Sequence, residues 1–244
     1  MGLFLTFLRT FFIQTLWNYD KMMNAGFFFA LRPGMENLKE GQRSREVRRF
    51  NTYFNTHPFM ASFIIGAVLR LEEEYCETGN EELVNEIENI KLKLMGPLAA
   101  LGDSLFWGGL KPFFILCTVF FLFFAPSLPW AFAGLFLYWS GYNIIHLSFR
   151  LRGLTVGYRY GRSLIVFLKK LEIQKKVDFL RRTAIILLGV FWGLGIIWLF
   201  SEGLEYGWPF LLSSLLIILL VRRMPNILIV GLAMIILLLG GLLC

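Results

Sequence analysis

Residues 183–200 read TAIILLGVFWGLGIIWLF, 18 residues without a charge. A helix of that length is enough to span a hydrocarbon layer about 30 Å thick, so the stretch is read as a transmembrane helix. The acidic, turn-rich SEGLEYG (201–207) follows, then a short apolar segment at 208–221. Arg222, Arg223 and Pro225 interrupt the run, and 226–244 is again apolar over 19 residues. The composition agrees with these segments. Of 244 residues, 57% are hydrophobic and only 17% are charged, and mean hydropathy is +0.62. Soluble domains carry about 25% charged residues, so this chain lacks the charge to cover a water-facing surface. Its hydrophobicity also excludes a disordered chain.

The net charge is +7, and residues 150–182 hold ten Lys and Arg against Glu172 and Asp178. Between spanning segments, such a stretch is cytoplasmic surface, and no nucleic-acid partner is expected. The positive-inside rule places 150–182, Arg222 and Arg223 in the cytoplasm, and SEGLEYG and Cys244 outside, with 208–221 crossing. Residues 113–147 are aromatic-rich and interrupted by Pro126 and Pro129. They make either two short membrane segments with a proline turn or one kinked span. Residues 94–112, LMGPLAALGDSLFWGGLKP, combine four glycines and two prolines with a single acid, Asp103. Gly and Pro disfavour continuous helix, which predicts a broken or re-entrant helix.

Further upstream, no Lys or Arg falls between Leu71 and Ile90, where Glu72, Glu73, Glu74, Glu77, Glu81, Glu82, Glu86 and Glu88 accumulate. Thr78-Gly79-Asn80-Glu81 fits a capping box, with Leu83, Ile87, Ile90 and Leu94 following at helical spacing. Residues 59–71 are apolar but too short to span, and 32–49 are polar and basic. Thr6, Thr10, Gln14, Asn18 and Lys21 form one polar stripe, predicting an amphipathic helix over 3–31. Residues 1–8 lack a charged leader and a small-residue cleavage site, so no removable signal peptide is expected. The fold class expected is all-α: a polytopic membrane protein with an amphipathic N-terminal helix, re-entrant or broken helices, and C-terminal transmembrane helices.

Catalytic motifs are missing from the sequence: it has no Walker loop, no GxSxG and no HExxH. Cys76, Cys117 and Cys244 share no metal-ligand spacing, and neither a metal nor a cofactor is expected. Polar chemistry inside apolar surroundings is the informative signal, because an ionisable group in a membrane is costly without a function. Asp103 qualifies. A carboxylate can accept two adjacent sugar hydroxyls, and Trp107, one helical turn on, can stack on a sugar's C–H face. The competing reading makes Asp103 the cap of a helix starting at Ser104. Asn55-Thr56-His57-Pro58 is the second cluster, read as helix-start punctuation or as a ligand site. His146, in an apolar stretch, is read as a hydrogen-bonded structural histidine.

RTFFIQTLWNYDKMMNAGFFFAL (9–31), FNTHPFMASFIIGAVLRLEEE (54–74) and MGPLAALGDSLFWGGLKP (95–112) resemble the signature blocks of the IID component of mannose/fructose/sorbose-family sugar phosphotransferase systems (PTS). Residues 143–161, ending in GLTVGYRYG, are similar to the family's next block, and 222–244 to its C-terminal end. The resemblance implies one membrane domain over 1–244: an amphipathic, cytoplasmic part at 1–50, a substrate-site core at 51–165 and C-terminal membrane segments at 166–244. It implies a multi-pass protein of the bacterial inner membrane that pairs with a IIC subunit, in a higher oligomer of IIC–IID pairs. The pair carries a hexose inward while cytoplasmic IIA and IIB relay phosphate to it, so the chain is not an enzyme by itself. It carries substrate-site candidacy onto Asn55, Thr56, His57, Asp103, Ser104 and Trp107, and more weakly onto Gln14, Trp17 and Asn18. Three departures stand out: a short 164–221 region, His146 where an arginine is usual, and Ala100-Leu101 in place of Gly-Ile. The first motivates an alternative, a non-transporting scaffold or regulatory protein with the same fold.

Overall fold

The structure, a computed structural model, describes residues 2–35, 49–123 and 125–202. The segments 208–221 and 226–244, SEGLEYG beyond Glu202 and most of the basic stretch 32–49 lie outside the described residues. The chain forms two compact units, Met1–Ala184 and Ile185–Cys244. Among the described residues it is helical, with only isolated β-bridges besides. The helices are α1 (Leu3–Arg9), α2 (Asn24–Leu31), α3 (Ala61–Thr78), α4 (Glu82–Gly102), α5 (Lys111–Phe123), α6 (Leu128–Tyr160), α7 (Leu164–Lys170) and α8 (Ile173–Glu202).

The predicted single helix over 3–31 is not formed. A 3₁₀ turn, Thr10–Phe12, follows α1, and the chain folds back before α2. Asn18 is the reason. Its Oδ1 accepts the Lys21 N–H at 2.8 Å, and its Nδ2 donates to Met22 O at 3.2 Å and to Asn24 Oδ1 at 2.7 Å. Such local side-chain bonds compete with helix, and Met22 takes the left-handed conformation, φ 58°. Thr6 and Thr10 of the expected polar stripe face inward, fully buried.

α3 ends where the sequence places a turn. Gly79 supplies the left-handed residue, φ 67°, and Asn80 Oδ1 accepts the Glu82 N–H at 3.0 Å. The side chain that meets the next helix's first turn is therefore Asn80 rather than Thr78, whose Oγ1 accepts the Asn80 N–H at 3.3 Å. Leu83, Ile87, Ile90 and Leu94 are buried, as their spacing predicts.

The expected break over 94–112 is absent. α4 runs through Pro97 to Gly102, continues as a π-helix over Asp103–Leu110, and passes into α5. The proline is tolerated, and Gly102 serves close packing: a Cβ there would overlap the His57 side chain. The π-helix widens the helix and turns side chains off the α-helical register. Over 113–147 the structure has two helices rather than one kinked one, but the second is not short and runs on to Tyr160. α5 ends at Phe123, and Pro129 sits in the first turn of α6. α6 packs on α3 at backbone distance through Gly66 of α3 and Gly157 of α6, while Gly153 of α6 takes the Phe63 ring.

Among the described residues no helix is long and apolar enough to cross a membrane. The 183–200 stretch forms the latter part of α8, and its side chains at 196 and 198–200 are not described.

Arg49 grips Glu72 of α3 with bonds of 2.6 and 2.7 Å, and the carboxylate side chain is only 3% exposed. Burial pushes the Glu72 carboxyl above its usual range, and Arg49 pulls it back only in part. Arg49→Ala should destabilise the fold by about 3–5 kcal/mol near neutral pH, because a buried charge loses its partner. A raised folded-state pKa means stability is lost as pH rises from the ordinary carboxylate range through that pKa. Removing Arg49 raises the folded pKa further, so the variant's deficit should shrink as pH falls toward that range. Thermal unfolding in detergent at a series of pH values measures this.

Candidate functional site

The NTHP segment starts α3. The His57 carbonyl accepts the backbone N–H groups of Met60 and Ala61 at 2.9 and 3.0 Å, forming the helix's first bonds. Thr56 Oγ1 donates to Met95 O of α4 at 3.0 Å, in a buried bond that pins the segment onto that helix. Thr56 is thus committed to structure, while Asn55 is exposed.

His57 is 2% exposed. Its Nδ1 accepts the Phe59 N–H at 3.3 Å. That bond requires an unprotonated Nδ1, so the ring is neutral and Nε2 carries the proton. Nε2 is buried and has no hydrogen-bond partner. The ring stacks on Phe106 at 5.1 Å and meets the Trp107 ring edge-on at 6.1 Å.

Phe106 and Trp107 both belong to the π-helix that Asp103 opens. Asp103 is exposed, one residue beyond Gly102, where α4 touches His57. Its φ and ψ of −59° and −46° lie inside continuous helical backbone, which removes the cap reading. Ser104 Oγ accepts from Arg181 Nη2 at 3.2 Å, while Arg181 Nε donates to Gly108 O at 3.1 Å. Trp107 is 61% exposed. The two predicted segments therefore meet where Gly102, Phe106 and Trp107 pack on His57, whereas among the described residues no hydrogen bond or ring contact joins Asp103 or Ser104 to it, and Ser104 is held by Arg181 of α8.

The first-helix candidates are a different matter. Asn18 is used up in its own loop. Trp17 packs edge-on against Tyr19 at 4.6 Å, and Gln14 is exposed. The loop bridges from Met22 to Phe54, just before Asn55. Among the described residues no hydrogen bond or ring contact joins Gln14 or Trp17 to the His57 cluster.

Sequence reasoning missed the inner wall. Phe59 lies between His57 and His146, whose ring stacks on it at 4.4 Å. His146 Nδ1 is buried without a partner, against the expectation of a hydrogen-bonded histidine. Arg150, 5% exposed, lies over Phe59 at 4.9 Å and over Phe11 at 4.8 Å, and donates to Thr10 O at 2.5 Å. Its Nε is likewise unpartnered. The spacing of His146 and Arg150, one helical turn apart, was the available signal.

Among the described residues no cluster of His, Cys, Asp or Glu could hold a metal ion. The groups present suit a polyhydroxylated ring: a carboxylate to accept hydroxyls, an indole to cover an apolar face, and an imidazole N–H to donate.

Residues 2–196 match the sequence profile of the PTS system mannose/fructose/sorbose family IID component. The mannose-specific EIID component of Escherichia coli strain K12 is 34% identical over 162 residues, covering 65% of this chain and 55% of that protein. The fructose permease IID component of Bacillus subtilis strain 168 is 28% identical over 178 residues, 72% of this chain and 62% of that protein. The chain thus spans little more than half the length of its Escherichia coli relative. A cryo-EM structure of the mannose transporter ManYZ with microcin E492 is similar at 25% identity, with a TM-score of 0.59 over 99% of this chain and 95% of that one. Another structure, described as a membrane protein, shares the fold at a TM-score of 0.73 and 24% identity, over 98% and 95% of the two chains. With four-fifths of its length inside the profile, the chain belongs to the mannose/fructose/sorbose family of PTS IID components.

Proposed function

We propose that this chain is the multi-pass inner-membrane IID subunit of a hexose permease. It pairs with a IIC subunit, in a higher oligomer of such pairs. Cytoplasmic IIA and IIB components phosphorylate the sugar as it is carried inward, and the chain moves no phosphate itself. The observation that carries the reading is the His57 Nε2–H, buried and unpartnered, on a ring that meets the exposed Trp107 edge-on. A buried donor left unpaired costs about 1–3 kcal/mol, a cost that a bound hydroxyl would remove. Asp103 and Ser104 supply acceptors, and Trp107 covers the C–H face of the ring. The crossings assigned to 183–200, 208–221 and 226–244 belong to the same proposal.

Co-purification with the IIC subunit tests it, followed by binding of hexoses and amino sugars read by tryptophan fluorescence. One hexose should perturb the emission, and Trp107→Phe should remove that change and weaken binding about fivefold. A IIC–IID complex that assembles but binds no hexose would favour the scaffold alternative.

A further inference from the structure

A cavity of about 540 Å³ lies within the first compact unit, away from His57, where α3, α6, α7, α8 and the π-helix meet. Its walls are apolar, with Phe63, Leu105, Phe149, Val156, Leu171 and Leu180 among them. Two cations, Arg152 and Lys176, stand on its lining, and both are exposed. Neither side chain makes an ion pair or hydrogen bond with another described residue. The acids of this stretch are engaged elsewhere: Glu172 pairs with Lys175 at 2.6 Å, and Asp178 accepts from Gln174 at 3.1 Å. An apolar cleft with two uncompensated cations has the chemistry of an acyl chain that ends in an anionic headgroup.

We propose that this cleft holds one acyl chain of an anionic phospholipid, with the headgroup phosphate between Arg152 and Lys176. The cations belong to the basic stretch that the charge rule assigns to the cytoplasm, so the lipid comes from the cytoplasmic leaflet. The site rests on the membrane placement given above. By joining α6 to α8 it would brace the helix that carries Arg150 against the one that carries Arg181.

The test uses the purified full-length chain in vesicles of palmitoyl-oleoyl phosphatidylcholine, with or without the matching phosphatidylglycerol, and counts retained lipids by native mass spectrometry after detergent extraction. Phosphatidylglycerol should be retained over phosphatidylcholine. In Arg152→Gln/Lys176→Gln its affinity should fall about 25-fold, at about fivefold per cation, with the fold intact because both side chains are exposed. Val156→Trp, which fills the cleft, should expel the lipid while the two cations remain. Equal retention of both lipids, or no change in the double variant, would overturn the site alone. So would loss of the lipid on adding the IIC subunit, which would make the cleft a subunit contact. A wild-type chain that enters neither kind of vesicle would overturn the membrane placement and the site with it.

Discussion

Hexose uptake by the assembled permease is expected to vanish in Asp103→Asn and in His57→Ala, while IIC and IID still co-purify. The two changes act on different bonds. Asparagine keeps the size of the aspartate but gives up the charge that strengthens hydrogen bonds from sugar hydroxyls, which are roughly twice as strong to an ionised acceptor. Asp103 is exposed and lies inside an unbroken helical segment, so the substitution leaves the fold alone. His57 is different, because its ring is packed between Phe106, Phe59 and Trp107. Alanine there opens a hole as well as removing Nε2–H. His57→Phe separates the hole from the polar contacts: it keeps the stacking and removes the Nε2–H donor, together with the Nδ1 acceptor of the Phe59 N–H. If the donor serves the sugar, uptake in His57→Phe should fall about as far as a lost hydrogen bond allows, by about 1–3 kcal/mol or 5- to 150-fold in affinity. If packing is its only role, His57→Phe should transport normally. Uptake of labelled hexose into vesicles, beside a pull-down of the complex, measures both. Normal uptake in both Asp103→Asn and His57→Ala would remove the site assignment.

Each cluster carries a local signal, but only the family resemblance made the two into one candidate site. Asn55-Thr56-His57-Pro58 marks a helix start, and Asp103 with Trp107 is a lone acid and an indole one turn apart in apolar sequence. The wall behind them was not legible. Phe59 and Phe106 look like ordinary apolar residues, and only the fold turns one over the other, at 4.9 Å. Arg150 reads as the first of ten cations in a basic stretch, and only its partner Thr10, 140 residues away, makes it a buried anchor. The π-helix escaped notice for a related reason. Glycines near a proline read as a break, because sequence carries their intrinsic cost but not what packs against them. Gly102 accommodates His57 against its Cα, a tertiary reason that propensity cannot express. The N-terminal stripe failed in the opposite direction. Its period was real, but the Asn18 side chain offered the backbone better bonds than the next helical turn.

Gly157→Ala, a single added methyl, should cost about 3 kcal/mol, and Gly66→Ala combined with it should leave no folded chain. The expectation follows from which atoms the methyl groups would meet. A Cβ on Gly157 would overlap the carbonyl oxygen of Phe63 and lie 3.0 Å from the backbone nitrogen of Ala67. A Cβ on Gly66 would overlap the carbonyl oxygen of Leu154 and lie 2.6 Å from the nitrogen of Tyr158. These are backbone atoms of helices, so no rotamer change relieves the clash and α3 and α6 must separate. Separation strips contacts from a seam that buries Ser62, Phe63, Ala67 and Leu154. It also draws Arg150, on α6, away from Phe59, which precedes α3. The site should therefore fail along with the packing, and hexose binding should be lost before global unfolding. Gly189→Ala is the control. It lies in α8 with nothing within 4 Å of its would-be Cβ, and should stabilise the helix by about 0.5–1 kcal/mol. Thermal midpoints in detergent, with the monodisperse yield of each variant, compare the three. A Gly157→Ala protein that melts with the wild type would mean that the two helices do not touch at this seam.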